Sequence, residues 1–253
     1  MRLLVVNPNT SRPHTETILA AARDAAAPGT TVMAVNAPFG PAYIDSRAEA
    51  TVAAYATLTA LAEHAAGSDA AVIAGFVDPG VGAARELLRI PVVGIVEASC
   101  LTACMLGSRF AIVGLSERLG PVFRDIVIGL GLRDRLAAIE LVRDPDERLV
   151  HSPDGAVDLL ADAARKAIAE ADAEVIILGG APLAGIAPQL AQRLEVPVLD
   201  GVRCGVRQAE LLAGLGARKP ATGSFRHPGA RRLAGVSPAV ESLFVNQHPG
   251  RTA

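Results

Sequence analysis

Two glycines stand where this chain would carry out chemistry. Gly75 lies in Asp69-Ala-Ala-Val-Ile-Ala-Gly75-Phe76-Val77-Asp78-Pro79-Gly80, and Gly180 in Asp172-Ala-Glu-Val-Ile-Ile-Leu-Gly-Gly180-Ala181-Pro182. Each closes an apolar run that reads as a buried parallel strand. Parallel α/β proteins place their sites beyond the carboxyl ends of such strands. Glycine brings no acid, base or nucleophile, so chemistry at these points falls to neighbours. Asp78, just past the first run, could act as a base or orient one. In Asp-Pro-Gly it is more often a turn residue or helix cap. Glu97, in Gly94-Ile-Val-Glu97-Ala-Ser99, is a second candidate base, or a surface or subunit contact.

A polar loop supplies candidate donors. Asn7-Pro8-Asn9-Thr10-Ser11 follows the first strand and opens a helix through Thr15–Ala26. Backbone N–H groups and the helix dipole favour an anion there. The loop therefore reads as a carboxylate-binding loop or as an ordinary N-cap. Ser116 falls at the matching place in the second half, either as a symmetric partner of Asn9 or as the cap of the helix at Leu119.

Those positions repeat because the chain repeats. Arg2 falls on Arg109, Asp69 on Asp172 and Ile90 on Val196, three similar offsets in one order. Strands are expected at Leu3–Val6, Thr31–Val35, Ala70–Ala74 and Pro91–Ile95, and again at Phe110–Val113, Ala138–Leu141, Val175–Leu178 and Val196–Leu199. Helices are expected between them, at Glu49–Ala66, around Ala83–Leu88, Leu119–Leu130, Ala156–Glu170, Gly185–Leu194 and Gly201–Leu215. Strands alternating with helices of this length indicate parallel sheets. The expected fold is α/β, two pseudo-symmetric, doubly wound, flavodoxin-like halves with the site in the cleft between them. Residues 1–97 with about 205–253 form the first half and 98–204 the second.

Composition narrows the function. With 253 residues, 51% hydrophobic and 20% charged, the chain can bury a full core. No apolar stretch reaches the roughly 18 residues of a membrane span. A net charge of −2 without a basic cluster, and 3% aromatic residues, give no reason to expect nucleic acid or a membrane surface. Cys100, Cys104 and Cys204 lack C-x-x-C spacing and read as buried, reduced thiols; with no signal-peptide pattern, the expected location is cytoplasmic. His14, His64, His151, His227 and His248 have no metal-ligand spacing, so no metal is expected. Dinucleotide, P-loop and G-x-S-x-G signatures are absent.

Seven segments in order carry a resemblance. They are Asn7–Ser11, Gly40-Pro-Ala-Tyr43-Ile44, Ala74–Gly80, Ala84-Arg-Glu86, Pro91–Ser99, Leu106–Val113 and Ile177–Gly185. Together they resemble the hydantoin and allantoin racemase branch of the aspartate/glutamate racemase superfamily, from the first strand to about Gly201. The resemblance implies that no cofactor is needed and that the partner is a small carboxylate or cyclic ureide; a homo-oligomer is expected because parallel α/β domains of this type often assemble. It implies contacts from Asn9, Thr10, Tyr43, Ile44, Phe76, Val77, Ser116, Ala181 and Pro182. It also implies one Cys from each half, on opposite sides of the substrate's acidic carbon, one removing a proton and the other returning one. Here those two catalytic positions are Gly75 and Gly180, so two-thiol racemisation is excluded. Three readings remain: an enzyme that decarboxylates, eliminates or isomerises with a different base; a non-catalytic binder; or an engineered Cys-to-Gly variant of a racemase. The favoured expectation is a racemase-family enzyme acting at the acidic α-carbon of a small hydantoin, allantoin or amino-acid-like carboxylate.

Overall fold

Eight short runs rich in Val, Ile, Leu and Ala build two parallel sheets. The computed structural model describes residues 1–143, 157–217 and 219–245. The first sheet contains β1 (Arg2–Asn7), β2 (Thr31–Asn36), β3 (Ala70–Ile73) and β4 (Val92–Gly94), in the order β2-β1-β3-β4. The second contains β5 (Phe110–Leu115), β6 (Leu136–Val142), β7 (Val175–Gly179) and β8 (Val198–Asp200), in the order β6-β5-β7-β8. The repeated order makes the two halves topological copies. Val5 pairs with Ala34 and Val72, and Ile112 with Ile139 and Ile177. Strands β3, β5 and β7 are buried throughout, as parallel strands covered on both faces must be.

The helices start where side chains can satisfy free N–H groups. Helix α1 (Arg12–Ala25) is capped by Ser11, whose Oγ accepts from the His14 N–H, with Pro13 in its first turn. Helix α2 (Arg47–His64) begins with a capping box. The Ser46 hydroxyl accepts from the Glu49 N–H, while Glu49 accepts from that hydroxyl and from the Asp45 N–H. Next come α3 (Val81–Leu87), α4 (Ile95–Leu106), α5 (Gly120–Gly129), α6 (Val157–Ala171), α7 (Ala187–Ala191), α8 (Gly201–Gly214) and α9 (Pro238–Val245). Helix α8 packs on α1, α4 and β3, and α9 on α2. One apolar cluster runs without a break from Val5 and Val93 through Ile95 to Ile112, Phe123 and Ile177, so the halves share a core. Among the described residues no helix is long and apolar enough to cross a membrane.

Three local expectations need correction. Ile95 is the first residue of α4, not the end of a strand, because Gly94 leaves room for a side chain that caps that helix. The helix expected over Gly185–Leu194 forms only at Ala187–Ala191. Gly185 is held outside it at φ 91°, its N–H bound to Asp200. Helix α9 was not expected at all. His151, His248 and the expected helix start at Ala156 lie outside the described residues.

Glu210 ties α8 to the turn before β2. Its Oε1 accepts from the Ala27 N–H at 2.8 Å and from the Thr30 hydroxyl at 2.7 Å. Glu210→Ala is expected to cost about 2 kcal/mol in urea unfolding, as for hydrogen bonds to a half-buried charged group. An unchanged midpoint would show that this contact adds nothing.

Candidate functional site

Both glycines line one small cleft between the ends of β3 and β7. Its other walls include Pro8, Asn9, Tyr43, Ile44, Phe76 and Val77 from the first half, and Leu115, Phe123 and Pro182 from the second. Its volume is about 40 Å³. Phe76 reaches across the boundary and stacks edge-on against Phe123, with ring centroids 5.2 Å apart at 86°. Larger grooves, of about 500, 460 and 420 Å³, lie elsewhere and touch neither glycine.

The two glycines differ in what they would allow. A Cβ on Gly75 would lie 2.3 Å from Cγ of Pro8 and 3.1 Å from its Cδ. Gly180 has open space around it but sits at φ 137°, a backbone state that L side chains rarely adopt. The loops have settled into a shape that suits glycine.

Asn7 and Asn9 preorganise the polar wall. Asn7 is fully buried, and its Nδ2 donates to Asn9 Oδ1 at 2.9 Å and Thr15 Oγ1 at 2.9 Å. Asn9 Oδ1 also accepts from the Ser11 N–H at 2.9 Å. The oxygen of Asn9 is thereby occupied within the loop. Its Nδ2 has no hydrogen bond among the described residues, which leaves an open donor on a residue that lines the cleft. Such a donor suits a carbonyl or carboxylate oxygen. Ser11, rather than Asn9 or Thr10, is the cap of α1.

The two candidate bases lie away from the cleft lining. Asp78 turns at φ 45°, and its carboxylate accepts from the N–H groups of Val96 at 3.0 Å and Glu97 at 2.9 Å. It therefore caps α4 across the chain. Burial pushes this carboxyl up to about 7, against the two N–H groups that hold it down. Glu97 is paired with Arg85 on the wall of the 420 Å³ groove. Asp200 plays the matching part in the second half. It caps α8 through the Arg203 N–H and holds the Gly185 N–H at 2.6 Å. Each glycine loop is thus tied to the start of a helix by a buried carboxylate. Asp200 was missed from the sequence, although an Asp immediately before a helix is a readable cap signal.

Other expected residues stand at the rim. Thr10 donates its N–H and its hydroxyl to Pro41 O, at 3.0 and 3.3 Å. Ser116, next to the lining Leu115, does not cap a helix through its side chain; its hydroxyl donates to Asp45. Ala181 opens the short 3-10 turn Ala181–Leu183 that follows Gly180. Burial pushes the Cys100 thiol far up and the Cys204 thiol up to about 11, so neither is a thiolate at neutral pH. None of the three thiols lines the cleft. Among the described residues no three His, Cys, Asp or Glu side chains gather as a metal group.

Comparison with known proteins agrees with this architecture. The family model described as Asp/Glu/Hydantoin racemase matches residues 3–209. Hydantoin racemase of Pseudomonas sp. (strain NS671) is 34% identical over 248 residues, covering 98% of each chain. Hydantoin racemase of Paenarthrobacter aurescens is 36% identical over 230 residues, covering 90% of this chain and 98% of that one. The solved allantoin racemase from Klebsiella pneumoniae has a TM-score of 0.88 at 36% identity, over 96% of this chain and 98% of that one. With the repeated β2-β1-β3-β4 order and the cleft between its halves, the chain belongs to the Asp/Glu/hydantoin racemase family.

Proposed function

We propose that this racemase-type chain binds a small cyclic ureide or amino-acid-derived carboxylate in the cleft, with the ligand's acidic carbon between Gly75 and Gly180. The observation that carries this reading is the pairing of two strand-end glycines on one wall-to-wall cleft with the free amide donor of Asn9. Relatives that share nearly the whole chain are hydantoin and allantoin racemases, which supports the ligand class. Any proton transfer at that carbon uses a group other than Cys, and no cofactor is needed for it. A second reading, a binder without turnover, is favoured by one fact. Among the described residues, Tyr43 is the only side chain of the lining with an ionisable group.

Hydantoin and allantoin test the ligand class directly. At a hundred times Kd, binding adds about 2.7 kcal/mol, which corresponds to a Tm rise of about 5–10 °C for a chain of this size. Asn9→Ala is expected to weaken affinity about tenfold by removing an open side-chain donor. If neither ligand moves Tm, the ligand class is wrong. Deuterium uptake at the ligand's α-carbon above the buffer rate marks an enzyme. Stabilisation without uptake marks a binder.

A further inference from the structure

The cleft is narrow as it stands. A cavity of about 40 Å³ is well below the roughly 150 Å³ that holds a benzene-sized ring. A five-membered ring with two carbonyl oxygens needs more room than the cleft has. Something must move before a ligand of the proposed class can enter, and the segment between β2 and α2 is placed to do so.

Both ends of that segment are anchored to the first half. At one end Pro41 O accepts from Thr10, following Gly40 at φ 110°. At the other the Ser46–Glu49 capping box fixes the start of α2. Between these anchors Tyr43 and Ile44 lie on the cleft, and Ile44 is buried. The Tyr43 ring meets His14 edge-on, with centroids 6.3 Å apart, and packs on the second-half apolar cluster. Asp45 reaches across the mouth to the Ser116 hydroxyl. Ser116 holds φ 70°, a left-handed state that costs a residue with a Cβ about 1 kcal/mol or more. A strained residue at the far end of a cross-cleft bond is an arrangement ready to release. The Arg47–Asp125 pair also spans the halves, but both side chains are about two-thirds exposed and the pair contributes little.

Separation of the two halves as rigid bodies is the competing way in. It would break the continuous core between Ile95, Ile112 and Ile177 and the Phe76–Phe123 stack. Movement of a four-residue span exposes only Tyr43 and Ile44. The smaller loss of apolar burial decides between the two. We infer that residues 42–45 form a gate, latched shut by Asp45 on Ser116, that opens to admit ligand and returns Tyr43 and Ile44 against it. This rests on the cleft being the ligand site, but the latch itself can be read without ligand.

Hydrogen exchange by mass spectrometry on the free protein tests the latch. Ser116→Ala and Asp45→Ala are each expected to raise exchange at 42–45 about tenfold, leaving β5 and the body of α2 unchanged. The double variant should do no more than either one, since both remove the same bond. With hydantoin as probe, association and dissociation should both quicken. Wild-type exchange at 42–45 in both single variants overturns the gate. So does a uniform rise across both sheets, which would mean that the halves separate. Local exchange that rises while hydantoin binds to none of the proteins supports the latch and removes only the ligand class.

Discussion

Gly75→Cys combined with Gly180→Cys is expected to switch on α-carbon exchange in a chiral hydantoin. Inverting a centre needs a base on one face and an acid on the other, and each well-placed group contributes roughly 10²–10⁴ in rate. Either single variant should therefore fall at least a hundredfold below the double one. The gain comes with strain that the structure locates. A Cβ at 75 meets the Pro8 ring at 2.3 Å, and a ring cannot swing aside like a flexible chain end. Overpacking of this kind costs about 1–3 kcal/mol. Gly180 at φ 137° must change its backbone state to accept Cys, at a similar cost. Adding Pro8→Ala should return about 1 kcal/mol to any variant with Cys at 75 and nothing to Gly180→Cys alone. NMR in deuterium oxide reads the exchange and urea unfolding the stability. A folded double variant that binds the hydantoin without exchanging its proton would falsify the placement of the two positions across the reacting carbon.

Asp78 is expected to govern stability rather than chemistry. Removing it leaves the Val96 and Glu97 N–H groups unpaired at the start of α4, and puts a left-handed Ala in place of an Asp that tolerates φ 45°. Asp78→Ala should cost about 3 kcal/mol. Gly94→Ala should cost as much, because its Cβ would lie 2.3 Å from Asp78 Cγ. The pH dependence has a definite sign. The folded carboxyl sits at about 7 and its ordinary value is 3.8. Between those values the folded protein holds a proton that the unfolded chain has released. The contribution is complete below about pH 4 and is lost as pH rises through 7, on the order of 4 kcal/mol in all. Asp200, also pushed up by burial, acts in the same sense, whereas Glu210, held down by its hydrogen bonds, acts against it. The difference between wild type and Asp78→Asn across pH 4–8 isolates Asp78. A difference that stays flat with pH removes the assignment. Hydantoin affinity in folded Asp78→Asn should stay within about threefold of wild type; a complete loss would return Asp78 to the site.

Much of the fold was legible in the chain for a physical reason. Parallel strands buried on both faces must be continuous apolar runs, and Ala70–Ile73 and Val175–Gly179 announce themselves that way. The repeat of Arg2 on Arg109 and Asp69 on Asp172 carried the twofold order of the sheets with it. Ser46 three residues before Glu49 marks the start of α2, two residues ahead of the expected start at Glu49. Helix α9 carried a start mark as well, Ser237 followed by Pro238, and the Ser237 hydroxyl accepts from the Val240 N–H. The helix is short, so packing on α2 adds what its local pattern cannot supply.

The cleft itself divides along the same line. Residue identity alone determined that Gly75 and Gly180 hold no proton, that no thiol stands in their place, and that a polar Asn-Thr loop follows the first strand. Only the tertiary structure decided where the carboxylates point. Asp78 follows the strand end in sequence, yet its oxygens turn to a helix start that comes almost twenty residues later. Asp45 carried no signal and became the latch because Ser116 lies opposite it across the mouth. Side-chain type is local and can be read in order. Direction, burial and cross-chain partners arise only when distant segments pack, and here they separate the groups that hold the cleft from the groups that face it.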